Sequence, residues 1–273
     1  MPTIFHCSDL HFGHPAVPEQ YEAMETLIER RRYDVVAISG DVSQRARSGE
    51  FQRARAFIRY AEQFSKVMCV PGNHDVQWWK SPLGMGDDRD LLRNYRRYIS
   101  DDLEPVLHVP GAQFAGLNTS HGVTRRTLTW NLRDISIIGI VRRPQIERLR
   151  RIFADTPAGE ARVVVMHHNP VKGELSQRHG LKDTSRVLGA FADMGVDLVL
   201  CGHDHQEAIH YIEHTKKGTV ISTAGTVSNR MRGGRPSSVN SILITSDKIE
   251  VSTLVWSAAD NAFVGGPVKC FER

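Results

Sequence analysis

Five short apolar runs, each followed at once by acidic, histidine or asparagine residues, limit what this chain can fold into more than any other feature. The first run, Thr3 to Cys7, leads into Ser8-Asp9-Leu10-His11, and the last, Val196 to Cys201, leads into Gly202-His203-Asp204-His205. Three runs between them end at Gly40-Asp41, Gly72-Asn73-His74-Asp75 and His167-His168. Short apolar runs are typical of buried strands. The pattern therefore predicts buried strands that each end in polar side chains.

Helical patterns separate the first three runs. Apolar residues recur at helical spacing from Val17 to Ile28 and from Glu50 to Phe64. Strand and helix alternation predicts βαβ units, and ligands of such sheets lie beyond the carboxyl ends of the strands. We therefore expect Asp9, Asp41 and Asn73 on one rim of an α/β sheet.

The later part of the chain predicts further elements of both kinds. Strands are expected at 112–118 and 135–141, and a helix is expected to open at Pro144. The last part alternates without helical spacing, and we expect its strands to form the antiparallel edge of a second sheet. Those strands are predicted at 219–223, 239–245 and 249–256.

Seven side chains in the five motifs are of types that bind metal ions. Their mixture of carboxylate, imidazole and amide donors suits Mn, Fe, Zn or Co and disfavours calcium. Seven donors exceed one tetrahedral site and fit two ions that share a carboxylate about 3.5–4 Å apart, with a bridging hydroxide as the nucleophile. The seven are Asp9, His11, Asp41, Asn73, His167, His203 and His205.

In this order the motifs resemble those of the calcineurin-like metallophosphoesterases, over Ile4 to His205. The stretches Ser8 to Gly13 and Met166 to His168 most resemble the bacterial branch of the class III cyclic nucleotide phosphodiesterases. The residues leave open a two-layer or a four-layer α/β sandwich. The resemblance implies the four-layer α-β-β-α sandwich with two mixed sheets, the last strands completing the second sheet.

The resemblance also implies roles for the site residues. One metal ion is expected at Asp9, His11, Asp41 and His205. The other is expected at Asp41, Asn73, His167 and His203, with Asp41 as the bridge. In the family the histidine of Gly-Asn-His is not a ligand, so His74 is expected to face the phosphoryl group, stabilising charge or protonating the leaving oxygen. Asp75 is a candidate to orient it.

One departure from a related branch narrows the activity. Phosphoprotein phosphatases carry a further Asp and an Arg-Gly soon after their Gly-Asp, where this chain has Val42-Ser43-Gln44-Arg45. The difference argues against a protein phosphatase.

Substrate contacts are expected from His168, Asn229 and Arg230. The last two lie in the Gly-rich stretch Thr226 to Arg235, which either grips a phosphate or forms an exposed basic hairpin. Trp78 and Trp79 follow the third motif and either stack on a base or pack in the core.

The expected activity is hydrolysis of a small phosphodiester, foremost a cyclic nucleotide of the cAMP type, by a metal-bridging hydroxide with His74 assisting. A glycerophosphodiesterase and a broad-specificity phosphoesterase are the alternatives within enzymes. A repair-type nuclease would need a long DNA-binding extension, which we do not expect in this chain. A non-catalytic scaffold on the same fold is the alternative of another class, and it should lack several of the donors.

Bulk properties bound these expectations. The 273 residues, 40% hydrophobic and 24% charged, fit one α/β domain or two small ones, and we expect one domain over 1–273. Residues 254–273 are a candidate oligomer interface, as in some relatives. A net charge of +4 suits an anionic substrate without requiring nucleic acid. No apolar run is long enough to span a membrane, no secretory signal is visible, and Cys7, Cys69 and Cys201 fit buried thiols, so a cytoplasmic location is expected.

Overall fold

Strands and helices alternate along most of the chain in the computed structural model. The model describes residues 1–77, 88–122, 138–173, 180–214 and 217–273. Its helices are α1 (Pro18–Arg31), α2 (Ser48–Ala61), α3 (Asp88–Leu91), α4 (Arg93–Tyr98), α5 (Arg143–Ala154) and α6 (Thr184–Asp193). Its strands are β1 (Thr3–Cys7), β2 (Val35–Ile38), β3 (Lys66–Cys69), β4 (Val106–Val109), β5 (Ala112–Leu117), β6 (Ala161–His168), β7 (Leu198–Gly202), β8 (Ala208–Ile212), β9 (Thr219–Thr223), β10 (Ser238–Ile244), β11 (Lys248–Ser257) and β12 (Ala262–Glu272).

The strands form two mixed sheets, as expected. The first has the order β12-β11-β10-β1-β2-β3, and β1, β2 and β3 run parallel. The second has the order β4-β5-β6-β7-β9-β8, and β5, β6, β7 and β9 run parallel. The α1 and α2 helices connect the first three strands, as the predicted βαβ units require.

The expectation that the last strands complete the second sheet is wrong. β10 pairs antiparallel with β1, with Ile4 opposite Ile242, and β11 and β12 follow it outward in the first sheet. Residues 219–223 do join the second sheet, but as the parallel neighbour of β7. The alternation of side chains identifies a strand, but it does not identify the strand with which it pairs.

Side chains of successive residues point to opposite faces and thereby set the order of the layers. Ile4 and Val163 belong to the apolar cluster between the two sheets. Phe5, on the other face of β1, packs with residues of α1 and α2. Val164, on the other face of β6, packs with residues of α5 and α6. The result is the four-layer α-β-β-α arrangement.

Some expected elements fall in part on residues that the structure does not describe. Of the strand expected at 135–141, residues 135–137 lie outside the described residues. Within 138–141, Gly139 forms an isolated bridge with Leu181. No helix among the described residues is long and apolar enough to cross a membrane.

A buried carboxylate joins the two sheets at the edge remote from the motifs. Asp197 is 2% exposed and accepts hydrogen bonds from Arg162 N (2.9 Å), Lys217 Nζ (2.8 Å) and Arg273 Nε (2.9 Å). Arg273 also donates to the carbonyl oxygens of Thr245 and Gly159. It therefore ties the β10–β11 turn of the first sheet to the second sheet.

We predict that Arg273→Ala lowers the free energy of unfolding by about 1.5–3 kcal/mol, because the buried Asp197 carboxylate loses a charged donor. Urea denaturation measures this loss. Arg55→Ala is the control, since Arg55 lies 3.4 Å from Glu62 in an exposed pair and should cost less than about 1 kcal/mol. Equal losses in the two variants would contradict the structural role of Arg273.

Candidate metal centre

Four of the predicted ligands form one group of donor atoms. Asp9 and His11 follow β1, Asp41 follows β2 and His205 follows β7. Asp9 Oδ1 lies 3.2 Å from His205 Nε2, and His11 Nε2 lies 3.1 Å from the same nitrogen. One donor atom from each of the four residues lies within 4.8 Å of all the others. The structure therefore brings together the side chains predicted for the first metal ion.

The remaining predicted ligands form a second group beside the first. Asn73 Oδ1 lies 3.1 Å from His167 Nε2 and 3.0 Å from His203 Nδ1. Asp41 Oδ2 lies 3.3 Å from His167 Nε2 and 4.0 Å from His11 Nε2. One carboxylate oxygen therefore stands between the two groups, at the position that a bridging ligand would need.

Backbone carbonyls fix the tautomer of two of the imidazoles. His167 Nδ1 lies 2.8 Å from Ser39 O, and His205 Nδ1 lies 2.9 Å from Arg230 O. A carbonyl oxygen only accepts, so each Nδ1 carries the proton and donates it. In the neutral imidazoles, each Nε2 then directs a lone pair at a carboxylate oxygen. That contact is repulsive unless a positive charge lies between the two atoms.

The site attracts positive charge, as the pKa values show. Burial disfavours the charged form of His167, but the Asp41 carboxylate, together with Asp9 and the Ser39 carbonyl, outweighs burial and raises the His167 pKa to about 9. Burial would raise the pKa of Asp41, yet the neighbouring histidines, His167 foremost, hold it well below its usual range. A proton and a metal cation would relieve the same excess of negative charge, so the donor set fits a cation.

Burial strengthens this conclusion. Asp9, His11 and His167 are 0% exposed and Asp41 is 1% exposed. Within the described part of the chain, the ion-pair partners of Asp9 and Asp41 are histidines. Asp9 Oδ1 accepts no hydrogen bond from a described residue. A buried carboxylate without a lysine or arginine partner is costly, and a divalent ion would remove that cost.

Most of these ligands adopt a left-handed backbone conformation. L-residues adopt it at a cost of about 1 kcal/mol or more, although Asp and His tolerate it better than most. It turns the chain sharply just past the strand ends, so that side chains from several strands reach one point. The residues with positive φ are Asp9 (53°), His11 (46°), Asp41 (52°), His203 (74°) and His205 (56°).

At two positions in the motifs, other atoms lie so close to the backbone that only glycine fits. A Cβ at Gly72 would lie 2.1 Å from Asp41 Oδ1. A Cβ at Gly202 would lie 1.9 Å from Ser8 Oγ and 2.4 Å from Asp9 Oδ2. The glycine before Asn73 therefore lets the loops after the neighbouring strands β2 and β3 touch, and the glycine before His203 lets β7 of the second sheet touch the loop after β1 of the first.

Asp75 has a different role from the one expected. Its carboxylate accepts from Gly72 N (2.9 Å), Ser43 N (2.8 Å) and Ser43 Oγ (2.8 Å). It thus binds the loop after β2 to the loop after β3. The interpretation that Asp75 orients the His74 ring is wrong, because other groups hold that ring.

His74 lies against the bridging position. Its backbone N donates to Asp41 Oδ1 (2.7 Å), and its Nδ1 donates to Gln44 O (2.8 Å). Arg230 Nη1 lies 2.9 Å from His74 Nε2. Burial lowers the His74 pKa, and the nearby Arg230 cation lowers it further against the opposing effect of Asp41. Because a guanidinium N–H only donates, His74 Nε2 is the acceptor in its contact with Arg230.

The three expected substrate contacts lie in different places. Arg230 is half-buried beside His74, whereas Asn229 is exposed and its backbone N donates to Pro15 O (2.9 Å). His168 is 1% exposed, and its Nδ1 lies 2.7 Å from Thr119 Oγ1. A ring nitrogen of His168 lies within 4.8 Å of one each from His167 and His203. Trp78 and Trp79 lie outside the described residues.

Gln44 lies in the site, although the sequence motifs did not indicate it. Its carbonyl orients His74, and its Oε1 lies 3.2 Å from Arg230 Nη1. The available signal was its position three residues after Asp41, in the stretch that departs from the phosphoprotein phosphatase pattern.

Comparisons with known proteins identify the family of this chain. A family model described as calcineurin-like phosphoesterase matches residues 2–207, about three quarters of the chain. No curated protein matches the chain significantly.

Solved structures share the fold at low sequence identity. Purple acid phosphatase PPD1 from yellow lupin (Lupinus luteus) seeds has a TM-score of 0.72 and 11% identity, covering 100% of this chain and 54% of that one. This chain thus spans about half the length of that phosphatase. GAP50, described as the anchor in the inner membrane complex of Plasmodium, has a TM-score of 0.53 and 15% identity, covering 99% of this chain and 88% of that one.

We predict that metal analysis distinguishes the two donor groups. Asn73 belongs to one group and Asp41 to both, so Asn73→Ala should hold about one ion fewer than the unaltered protein, and Asp41→Ala should hold less than one. Inductively coupled plasma mass spectrometry after dialysis measures the content. An Asp41→Ala protein with full metal content would contradict the bridging position.

We also predict that Gly202→Ala lowers both metal content and stability, the latter by about 1–3 kcal/mol, because the new Cβ forces the Asp9 loop away. Gly189→Ala is the matched control. Gly189 lies in α6 with no atom within 4 Å of an added Cβ, so that change should stabilise by about 0.5–1 kcal/mol. Normal metal content in Gly202→Ala would remove close packing as the reason for this glycine.

Proposed function

The chain belongs to the calcineurin-like phosphoesterase family, and from that membership and its donor groups we propose that it is a metal-dependent phosphodiesterase acting on a small phosphodiester. One observation supports this proposal above the others. Asp41 Oδ2 stands between two sets of ligand atoms, 3.3 Å from His167 Nε2 and 4.0 Å from His11 Nε2.

We propose that Asp9, His11, Asp41 and His205 hold one divalent ion, and that Asp41, Asn73, His167 and His203 hold the other. Mn, Fe and Zn suit this mixture of oxygen and nitrogen donors. When bound, such a pair lowers the pKa of water to about 7 and polarises phosphoryl oxygens.

The protein's own groups prepare the site for that chemistry. Ser39 O and Arg230 O orient the two imidazoles, and outer hydrogen bonds of this kind tune metal ligands. The backbone N of His74 donates to Asp41 Oδ1, so Asp41 Oδ2 would be the oxygen that faces bound metal ions. In the proposal His74 assists catalysis by facing the phosphoryl group, and the fixed dipoles around it need no rearrangement.

A cyclic nucleotide of the cAMP type is the substrate that we propose first. The support is the resemblance of Ser8 to Gly13 and of Met166 to His168 to the class III cyclic nucleotide phosphodiesterases. A glycerol diester is the second candidate, and broad specificity the third. The net charge of +4 suits either anion.

A non-catalytic scaffold is the alternative of another class. GAP50 is described as an anchor, and a shared fold does not decide between anchor and enzyme. What favours an enzyme is the retention of all seven expected donors and of His74, gathered around one buried carboxylate pair. A scaffold has no need to keep charge buried at this cost.

We further propose that residues 1–273 act as one domain in the cytoplasm. β11 and β12 continue the first sheet, which supports one folding unit. The tail 254–273 remains our candidate for an oligomer contact through its exposed edge, where Val268 is 58% exposed, whereas Phe263 packs inward. Buried free thiols at Cys7, Cys69 and Cys201 support a reducing compartment.

We predict that the Mn²⁺-loaded protein hydrolyses bis(p-nitrophenyl) phosphate and that His74→Ala lowers kcat about 10²- to 10⁴-fold with unchanged metal content. Release of p-nitrophenolate measures turnover. His108→Ala is the control, because His108 is an exposed residue paired with Glu160 at 2.8 Å, away from the motifs. Unchanged turnover in His74→Ala would exclude this residue from the mechanism.

The same preparation identifies the substrate. A panel of 3′,5′-cyclic, 2′,3′-cyclic and glycerol diesters, with p-nitrophenyl phosphate as the monoester, should give the highest kcat/KM for a 3′,5′-cyclic nucleotide. Metal-loaded protein that cleaves no diester would overturn the phosphodiesterase proposal.

A further inference from the structure

The face of β1 that meets the second sheet changes from apolar to polar on the way to the candidate metal centre. Ile4 belongs to the apolar cluster between the sheets, and His6, two residues nearer the predicted ligands, points to the same face. Asn240, opposite His6 on β10, donates to Ser222 Oγ of the second sheet (2.9 Å). A buried polar layer therefore joins the two sheets here, and His6 is 0% exposed within it.

His6 contacts a residue that orients a predicted ligand. Its Nε2 lies 3.0 Å from Ser39 Oγ. The carbonyl oxygen of Ser39 accepts from His167 Nδ1 (2.8 Å) and from Ser8 Oγ (3.0 Å), and all of these residues are 0% exposed. Ser39 also lies two residues before Asp41. A contact that restrains the Ser39 side chain therefore restrains the carbonyl that orients His167.

Packing alone gives no reason for a histidine at this position. The Nδ1 atom of His6 has no hydrogen-bond partner among the residues that the structure describes. Unpaired buried polar atoms lower stability, so an apolar side chain would suit a purely structural position better. In the same layer Asn240 has partners for both atoms of its amide, Ser222 Oγ and Thr253 Oγ1 (3.2 Å). The contact of Nε2 with Ser39 is therefore the feature that accounts for His6.

We propose that His6 is a positioning residue of the metal centre, which acts on the predicted ligand His167 through Ser39. The path has two contacts, from His6 Nε2 to Ser39 Oγ and from Ser39 O to His167 Nδ1. This inference rests on the proposed metal centre. It adds to that centre a residue that helps to determine how tightly the ion at Asn73 and His167 is held.

Metal titration tests the proposal and needs no turnover. Isothermal titration calorimetry with Mn²⁺ is performed on the full chain after a chelator has removed bound metal. His6→Leu should bind one of two ions about tenfold more weakly, at the low end of the roughly 10- to 100-fold effect of outer hydrogen-bond partners. The other ion should bind as in the unaltered protein. His6→Gln, which keeps a polar nitrogen near the position of Nε2, should restore most of the affinity.

Thr253→Val is the matched control in the same polar layer. Thr253 is 4% exposed and its hydroxyl donates to Asn240 Oδ1, so the change removes a buried hydrogen bond that does not involve Ser39. It should lower the midpoint of urea unfolding and change the affinity for each ion less than about twofold. The same pattern in His6→Leu would mean that His6 has only a structural role, and the proposal would be overturned.

Combined variants test the path from His6 to the ligand. His6→Leu together with Ser39→Ala should bind Mn²⁺ no more weakly than Ser39→Ala alone, because both changes remove the same contact. In Asn73→Ala, which removes one ion, adding His6→Leu should not weaken binding of the ion that remains. Additive losses in the first pair, or a loss in the second, would contradict a path through Ser39.

The outcomes separate this proposal from the proposed function. If the protein binds two ions, cleaves no diester, and loses affinity in His6→Leu, the proposed activity fails and the role of His6 stands. If diesters are cleaved and His6→Leu binds both ions normally, the activity stands and the role of His6 fails. Should His6→Leu not fold, as judged by circular dichroism, His6→Gln and Ser39→Ala decide: full affinity in the first and a loss of about tenfold in the second are expected, and normal affinity in Ser39→Ala would overturn the proposal.

Discussion

The close contact of buried carboxylate oxygens with imidazole nitrogens is the constraint on which the rest of this structure depends. Asp9 and Asp41 face the Nε2 atoms of His205 and His167 at 3.2 and 3.3 Å, in a place that water hardly reaches. Such an arrangement persists only around positive charge. The left-handed conformations of the predicted ligands are unfavourable by themselves, and the arrangement requires them together with the two glycines at close approach.

The sandwich supplies the site from both of its sheets. The first sheet carries Asp9, His11, Asp41 and Asn73, and the second carries His167, His203 and His205. The hydrogen bond from His167 Nδ1 to Ser39 O crosses between the sheets, so the packing of the sheets determines the distance between the two donor groups. A change in that packing would alter the site even without touching a ligand.

Particular residues show why some features were predictable and others were not. The ligand positions follow strands whose apolar runs are unmistakable, and parallel strands place their carboxyl ends on one rim. The pairing of β10 with β1 had no local signal, since an alternating pattern fits either sheet. The sequence suggested Asp75, the next residue, as the partner of the His74 ring. Only the loop conformation shows that Gln44 O holds the ring instead.

The sequence by itself determined the donor types, their order along the chain and the glycines beside them, because these depend on chemistry and on local backbone conformation. Only the tertiary structure decided that Asp41 Oδ2 stands between two ligand groups, that Arg230 meets His74, and which sheet receives the last strands. Those facts depend on contacts between residues more than 25 positions apart, and burial of both sheets against each other, not local preference, sets such contacts.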